Sequence, residues 1–173
     1  TAADPGANHR QVGVVNADGQ AAAFTGADCI PYAGHHVGEG YSVHANMMTN
    51  ETVIDAMRVT YETHTGDLAA RMLATMVAAQ NEGGDIRGMQ SASLLIVPPA
   101  SENTPDFATV YDLRVDEHPN PVEELMRLAR LRRAQLVSGA GDAALHAGNR
   151  DEALTLWASA RELAPELEEI AFW

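Results

Sequence analysis

Polar side chains crowd into the short stretch GGDIRGMQS, shortly before the apolar run LLIV that is typical of a buried strand. They belong to Asp85, Arg87, Gln90 and Ser91. A glycine turn lets the backbone approach a ligand closely, and an arginine paired with an aspartate can project into a cleft and stabilise a developing oxyanion. The same side chains can instead close a helix end and satisfy backbone groups at a strand edge. Both interpretations are open from the sequence.

A further polar candidate, Asn46, comes at the end of the segment YSVHANMM. The alternation over residues 41–47 predicts a strand, and side chains at strand ends often face a site. An amide in that place can donate to an oxyanion or to a substrate, or it can cap a turn. We predict the catalytic residues Asn46, Asp85 and Arg87 and the substrate-binding residues Gln90 and Ser91.

Other residues with reactive side chains have less support. Thr1 carries both a hydroxyl and an amino group if the numbering marks a mature terminus, but TAADPG is typical of a loop, which favours a fragment boundary. Cys29 lies between two turn signals, and a lone cysteine without an assigned base is more often a small buried hydrophobe. Adjacent strand residues point to opposite faces, so His35 and His36 would not share a metal ion. With His44, they are predicted to be ordinary polar loop residues.

Composition and charge narrow the class of protein. The chain has 173 residues and a formal net charge of -13, which disfavours nucleic acid and anionic membranes as partners because like charges repel. One cysteine forms no internal disulfide, and no apolar run approaches the roughly 20 residues of a membrane-spanning helix. The nucleotide-binding, serine-esterase and zinc-protease motifs are absent from the sequence. We predict a soluble, cytoplasmic protein.

The segment RQVGVVNADGQAAAFTGADCI has the pattern of a β-hairpin. An apolar strand leads into turn residues at Asn16 to Gly19, and a second strand of small residues ends near Thr25. With the strand that ends near Asn46, three strands are therefore predicted before the first helix.

Helices and further strands are predicted to follow. Thr52 and Asp67 have the positions of helix N-caps, and the paired glycines of EGGD supply a stop. SASLLIV and FATVYDLRVDEH are predicted strands, and the remaining sequence is typical of helices only. We therefore predict a domain over residues 1–120 and a helical tail over residues 121–173.

Several segments together resemble one protein family. They are RQVGVVNADGQAAAFTGADCI, YAGHHVGEG, HANMM, GGDIRGMQSASLLIV and YDLRVDEHPNPVEEL, over about residues 3–130. Their order and spacing resemble the DUF1028 family, an uncharacterised branch of the N-terminal-nucleophile (Ntn) hydrolase-like proteins. The resemblance implies an α+β fold that is part of a four-layer αββα sandwich, in which two sheets pack face to face between layers of helices.

The resemblance also implies an activity. Ntn hydrolases cleave amide bonds with the hydroxyl or thiol of an N-terminal residue, whose own α-amino group is the general base. A hydrolase of a small amide or peptide-like substrate, without a metal or organic cofactor, is therefore implied. Family members typically carry additional chain before the position that matches Thr1, with a candidate nucleophile in it. We expect this chain to lack its nucleophile and to need a companion N-terminal chain, a second copy of itself, or both.

The tail has a resemblance of its own. AGNRDEALTLWASARELAPE is similar to the second helix of a tetratricopeptide-like hairpin, with Gly148 in the turn, Ala153 and Ala160 at packing positions and Pro165 at the end. In DUF1028 proteins a segment in this place carries a peptidoglycan-binding label, although a helical hairpin is more often a packing or oligomerisation element. The alternative function is a non-catalytic module whose tail binds a protein or a cell-wall glycan.

Overall fold

The computed structural model describes residues 3–101, 104–105 and 108–172. Within them the chain is a mixed α/β protein with small antiparallel sheets and four α-helices, two of which follow the last strand. The chain divides into two compact units, residues 1–89 and residues 90–173. The domain boundary predicted near residue 120 stays a prediction.

The predicted first hairpin is confirmed. Strand β1 (Gln11–Val15) pairs antiparallel with β2 (Ala21–Thr25). The side-chain oxygen of Asn16 accepts a hydrogen bond from the backbone N–H of Gln20 at 2.8 Å, which closes the turn. Gly19 has a φ of 78°, a conformation that glycine adopts at little cost.

A second hairpin follows, and the sequence analysis found only half of it. Strand β3 (Gly34–Gly38) pairs antiparallel with β4 (Tyr41–Ala45). The prediction that His35, His36 and His44 are loop residues was wrong, because the pairing of β3 with β4 holds this glycine-rich segment as a strand despite its weak intrinsic preference. The predicted strand β4 is confirmed, and it ends before Met47, whose φ of 60° interrupts an extended chain. Asn46 therefore follows a strand end, as predicted.

Two helices complete the first unit. They are α1 (Val53–Thr63) and α2 (Leu68–Asn81). Asp67 caps α2 as predicted, because its carboxylate accepts a hydrogen bond from a first-turn backbone N–H at 2.9 Å. Thr52 makes no side-chain capping bond to α1; instead, Asn50 accepts a hydrogen bond from the Thr52 backbone N–H at 2.8 Å.

The core of the first unit lies between the second hairpin and α1. Val43 and Ala45 point to one face of β4 and are buried together with Val53 at the start of α1. Contacts of α1 with both β3 and β4 and of α1 with α2 complete this packing. A short 3-10 helix, Ala7–His9, precedes β1.

The two hairpins are stacked, with β1 over β4 and β2 over β3. Gly13 points toward β4, where the imidazole of His44 occupies the space that a side chain would need. Because successive strand residues face opposite ways, Val12 and Val14 point away from β4 and remain 44% and 57% exposed. One face of the first hairpin is therefore packed, and the other is apolar and open.

The second unit starts with a third hairpin. Strand β5 (Ala92–Ile96) pairs antiparallel with β6 (Tyr111–Val115), which confirms both predicted strands. Helix α3 (Pro121–His146) packs on this hairpin, with Leu94 and Leu125 almost completely buried.

The tail is helical, as predicted. Helix α4 (Arg150–Leu163) folds back on α3 after Gly148, and a 3-10 helix (Glu168–Phe172) follows. Small residues let the helices approach closely. The buried cluster between these elements contains Ala134, Ala160, Ala164 and Ile170.

Candidate functional site

Asp85 and Arg87 form the predicted ion pair in the loop after α2. The Nε and Nη2 atoms of Arg87 donate to the two carboxylate oxygens of Asp85 at 2.9 and 2.5 Å, and the Arg87 backbone N–H donates to Oδ1 at 2.8 Å. The guanidinium is the main cause that lowers the pKa of Asp85 to about 2. Asp85 is therefore ionised at neutral pH with both oxygens occupied, so it orients Arg87. The Arg87 side chain is 68% exposed and accessible to a ligand.

The glycines after α2 allow this loop to lie close to the chain that follows β4. Gly83 has a φ of 103°, and a Cβ built on it would stand 2.3 Å from the hydroxyl oxygen of Thr49. Gly84 has a φ of 61°. The glycine turn therefore permits a close approach to another part of the same chain, while its close approach to a ligand stays a prediction.

Backbone pairing holds the same loop in place. Met48 and Asp85 form an antiparallel bridge, and the N–H of Ile86 donates to the carbonyl oxygen of Met47 at 2.9 Å. The segment that follows Asn46 is thus paired with the segment that carries the ion pair. Asn46 lies far from Asp85 and Arg87 in the sequence, but the backbone segments that carry them are neighbours.

Asn46 contains an unusual polar atom. Its Oδ1 is buried and has no hydrogen-bond partner among the described residues. An acceptor left in this state costs about 1–3 kcal/mol, and native proteins keep few such groups. The sequence analysis predicted a donor at this position, and the structure adds a free acceptor on the same amide. The hydrogen-bonding capacity of this acceptor is therefore unused among the described residues.

Gln90 and Ser91 belong to the unit formed by residues 90–173. The side-chain nitrogen of Gln90 donates to Glu117 at 2.9 Å, and the Gln90 carbonyl oxygen accepts from the N–H of His118 at 3.0 Å. These bonds close the base of the third hairpin, which is the structural alternative that the sequence left open. Ser91 is exposed directly before β5. The substrate-binding role of both residues stays a prediction.

A polar layer between the stacked hairpins was missed by the sequence analysis. The Thr25 hydroxyl lies 2.8 Å from Nδ1 of His35, and Ser42 Oγ lies 2.9 Å from Nε2 of His44. The two imidazole rings face each other across β3 and β4, with centroids 6.1 Å apart. Burial is the main cause that lowers the pKa of His44, and nearby His35 adds to it. The side-chain nitrogen of Gln11 donates to the backbone carbonyl oxygens of Gly34 on β3 and Ala45 on β4, which ties β1 to the second hairpin.

His35 and His36 point to opposite faces of β3, as predicted. His35 contacts Thr25 between the hairpins, whereas Nε2 of His36 lies 3.8 Å from a carboxylate oxygen of Glu62 on α1. Over the part of the chain that the structure describes, no group of three or more His, Cys, Asp or Glu side chains is placed to hold a metal ion.

Comparison with known proteins identifies the family. A model described as a family of unknown function, DUF1028, matches residues 1–125. The chain belongs to the DUF1028 family. This DUF1028 chain is similar to the crystal structure of protein SPO2555 from Silicibacter pomeroyi, also assigned to DUF1028, with a TM-score of 0.60 and 28% sequence identity. The match covers 75% of this chain and 54% of the SPO2555 chain, so the DUF1028 chain spans about half the length of that relative. No curated protein matches it.

Two further residues of the DUF1028 chain with reactive side chains, Cys29 and Thr1, were considered in the sequence analysis. Cys29 is half-buried, and its thiol donates to the carbonyl oxygen of Arg10 at 3.5 Å. Thr1 lies outside the described residues. Among the helices that the structure describes, none is long and apolar enough to cross a membrane.

Proposed function

We propose that this chain is part of an Ntn-type amide hydrolase that acts on a small amide or peptide-like substrate. Asn46, Asp85 and Arg87 surround the reacting bond, and a segment or chain beyond the described residues contributes the nucleophile. The substrate-binding role of Gln90 and Ser91 stays a prediction from the sequence. Membership of DUF1028 names no activity, so the proposal depends on the site and not on the family or the fold.

The unpaired Oδ1 of Asn46 is the observation that carries this proposal. Next to it in the backbone pairing is the loop with the exposed guanidinium of Arg87, held in orientation by Asp85. An amide has one N–H donor and one carbonyl acceptor. Asn46 can accept from the N–H while Arg87 donates to the carbonyl oxygen, whose negative charge grows as a nucleophile attacks. This set is complementary to an amide.

The stacking of the first two hairpins supports the finer fold proposal, a four-layer αββα sandwich. Two sheets face each other, α1 covers the outside of the second hairpin, and α2 packs on α1. A fourth layer in this arrangement would cover the exposed face that carries Val12 and Val14. We propose that a companion N-terminal chain or a second copy of this chain provides this cover, since exposed apolar strands favour association.

The proposal is tested on the protein purified from its native source. N-terminal sequencing and intact mass identify every chain present, and light scattering gives the oligomeric state. Hydrolysis of a panel of dipeptides, N-acyl amino acids and small cyclic amides is then followed by release of amine. We expect turnover of at least one amide, with the nucleophile at a chain terminus.

Matched variants connect the activity to the site. Asn46→Ala and Arg87→Gln should each lower kcat/KM by roughly 10²-fold or more, the usual loss when an oxyanion contact is removed. Arg114→Gln is the control, because Arg114 is also exposed and has an aspartate within 3.9 Å on the same chain segment. Equal activity of all three variants would contradict the assignment. Binding of purified cell-wall glycan or of a protein by the tail, with no amide turned over, would instead favour the non-catalytic module.

A further inference from the structure

A hydroxyl and an imidazole that do not belong to the set of Asn46, Asp85 and Arg87 form a close pair on β2 and β3. Oγ1 of Thr25, the last residue of β2, lies 2.8 Å from Nδ1 of His35. Thr25 is half-buried and His35 is exposed, so a small molecule in solvent can reach the pair. A hydroxyl within hydrogen-bond distance of an imidazole has the arrangement of a nucleophile and its general base.

Gln11 contacts the hydroxyl of this pair and ties it to the neighbouring strands. Gln11 Nε2 donates to Oγ1 of Thr25 at 3.1 Å. The same amide nitrogen is held by the carbonyl oxygens of Gly34 at 3.0 Å and Ala45 at 2.9 Å. The amide has two N–H groups for these three acceptors, and the contact to Thr25 is the longest of the three. In the His35 tautomer that carries its ring proton on Nε2, Nδ1 accepts a hydrogen bond from the Thr25 hydroxyl, and this is the form in which the imidazole acts as a base.

We propose that Thr25 is an acyl-accepting nucleophile with His35 as its general base. As Oγ1 of Thr25 attacks a carbonyl carbon, its proton passes to Nδ1 of His35. The bond to the leaving group breaks, an ester forms on Thr25, the leaving group departs as an anion, and the imidazolium releases its proton to solvent. Water then cleaves the ester, with His35 taking a proton from water and giving one back to Oγ1.

The substrates that suit this pair are activated esters and thioesters. Their leaving groups depart as weakly basic oxygen or sulfur anions, so a single base is sufficient, whereas an amide nitrogen must be protonated before it leaves. The assignment goes beyond the proposed amide hydrolase, because it uses a different nucleophile and a different site. Its failure would leave the role of Asn46 and Arg87 unaffected.

Acetylation of the full chain by p-nitrophenyl acetate tests the assignment. The chain has no lysine, the most common non-specific acyl acceptor. Cys29→Ala is used as the background, since it removes the thiol without altering a residue of the pair. We expect release of p-nitrophenolate with one acetyl group, located on Thr25 by peptide mass spectrometry.

Variants separate the nucleophile from the base. Thr25→Val should abolish the adduct, Thr25→Ser should retain it at residue 25, and His35→Gln should slow its formation by roughly 10²-fold or more. Thr63→Val is the control, because the exposed Thr63 hydroxyl donates to a backbone carbonyl at 2.7 Å and contacts no imidazole. An adduct spread equally over Thr25 and Thr63, no adduct, or an unchanged rate in a folded His35→Gln protein would each overturn the proposal.

Discussion

The backbone of Gly13 lies directly against the imidazole of His44. A Cβ built on Gly13 would stand 2.2 Å from Nε2 of His44, a distance that atoms without a bond between them do not adopt. The ring has little freedom to move away, because it is half-buried and its Nε2 lies 2.9 Å from the Ser42 hydroxyl oxygen. The missing side chain at Gly13 is therefore what allows the first hairpin to lie on the second.

Gly13→Ala should destabilise the protein by about 1–3 kcal/mol, the usual cost of inserting a group into a packed site. His44→Ala removes the ring that the new methyl group meets, so adding it to Gly13→Ala should recover most of the loss. Urea unfolding of the wild type, both single variants and the double variant measures this coupling. Strictly additive effects would show that the two residues do not meet.

The ion pair of Asp85 and Arg87 should make a pH-dependent contribution to stability. The pKa of Asp85 is about 2 in the folded chain against an ordinary value of 3.8. The stabilisation is therefore present above about pH 4 and is lost as the pH falls through about 2. Arg87→Gln should lower the free energy of unfolding slightly at pH 7, since the Arg87 side chain is mostly exposed, and by less at pH 2, where about half of Asp85 is protonated. Urea unfolding at the two pH values checks this difference, and an equal loss at both would contradict it.

Asn46 should contribute little to stability despite its burial. Because Oδ1 of Asn46 has no partner among the described residues, Asn46→Ala removes no hydrogen bond at that atom and relieves the cost of a buried unpaired acceptor, so the free energy of unfolding should fall by less than about 1 kcal/mol or rise. Asn16→Ala is the matched comparison, because the Asn16 side-chain oxygen accepts from the backbone N–H groups of Asp18 and Gln20 at 3.0 and 2.8 Å. It should cost about 1–2 kcal/mol. A larger loss for Asn46→Ala would assign Asn46 a structural role.

Two glycines of α3 should respond in opposite directions to the same change. Nothing lies within 4 Å of a Cβ built on the exposed Gly139, so Gly139→Ala should stabilise the chain by about 0.5–1 kcal/mol through helix propensity. A Cβ on Gly141 would stand 2.6 Å from Nε1 of Trp157, and Gly141→Ala should destabilise by about 1–3 kcal/mol. Thermal unfolding followed by circular dichroism compares the two variants. The same sign for both would show that α4 does not pack at Gly141.

Local signals explain which elements could be predicted. The turn residues of NADG close the first hairpin through bonds made within a few residues, and Asp67 caps α2 through its own first turn. Strand β3 carries no such signal, since its glycines and histidines become a strand only by pairing with β4. Elements that are stabilised by hydrogen bonds between residues close in the sequence were therefore predictable. Strand β3, which depends on pairing with another strand, was not.

The candidate site divides in the same way. Asp85 and Arg87 are close in the sequence, so their pairing follows from spacing and could be predicted. The contact between Thr25 and His35 depends on how one hairpin lies on another, and no pattern within either segment specifies it. The missing partner of Asn46 is also a property of the packed chain.

Trp157 of α4 packs against α3, and this contact has a consequence for hydrogen exchange. The indole covers Gly141, and its Nε1 donates to Asp142 at 3.1 Å, so α4 protects α3 just where two glycines weaken it. Without α4 the end of α3 beyond Gly139 would open far more often than the part that packs on the third hairpin. Amide protons of residues 142–146 should therefore exchange in one cooperative step with those of α4, while the first turns of α3 exchange with the strands.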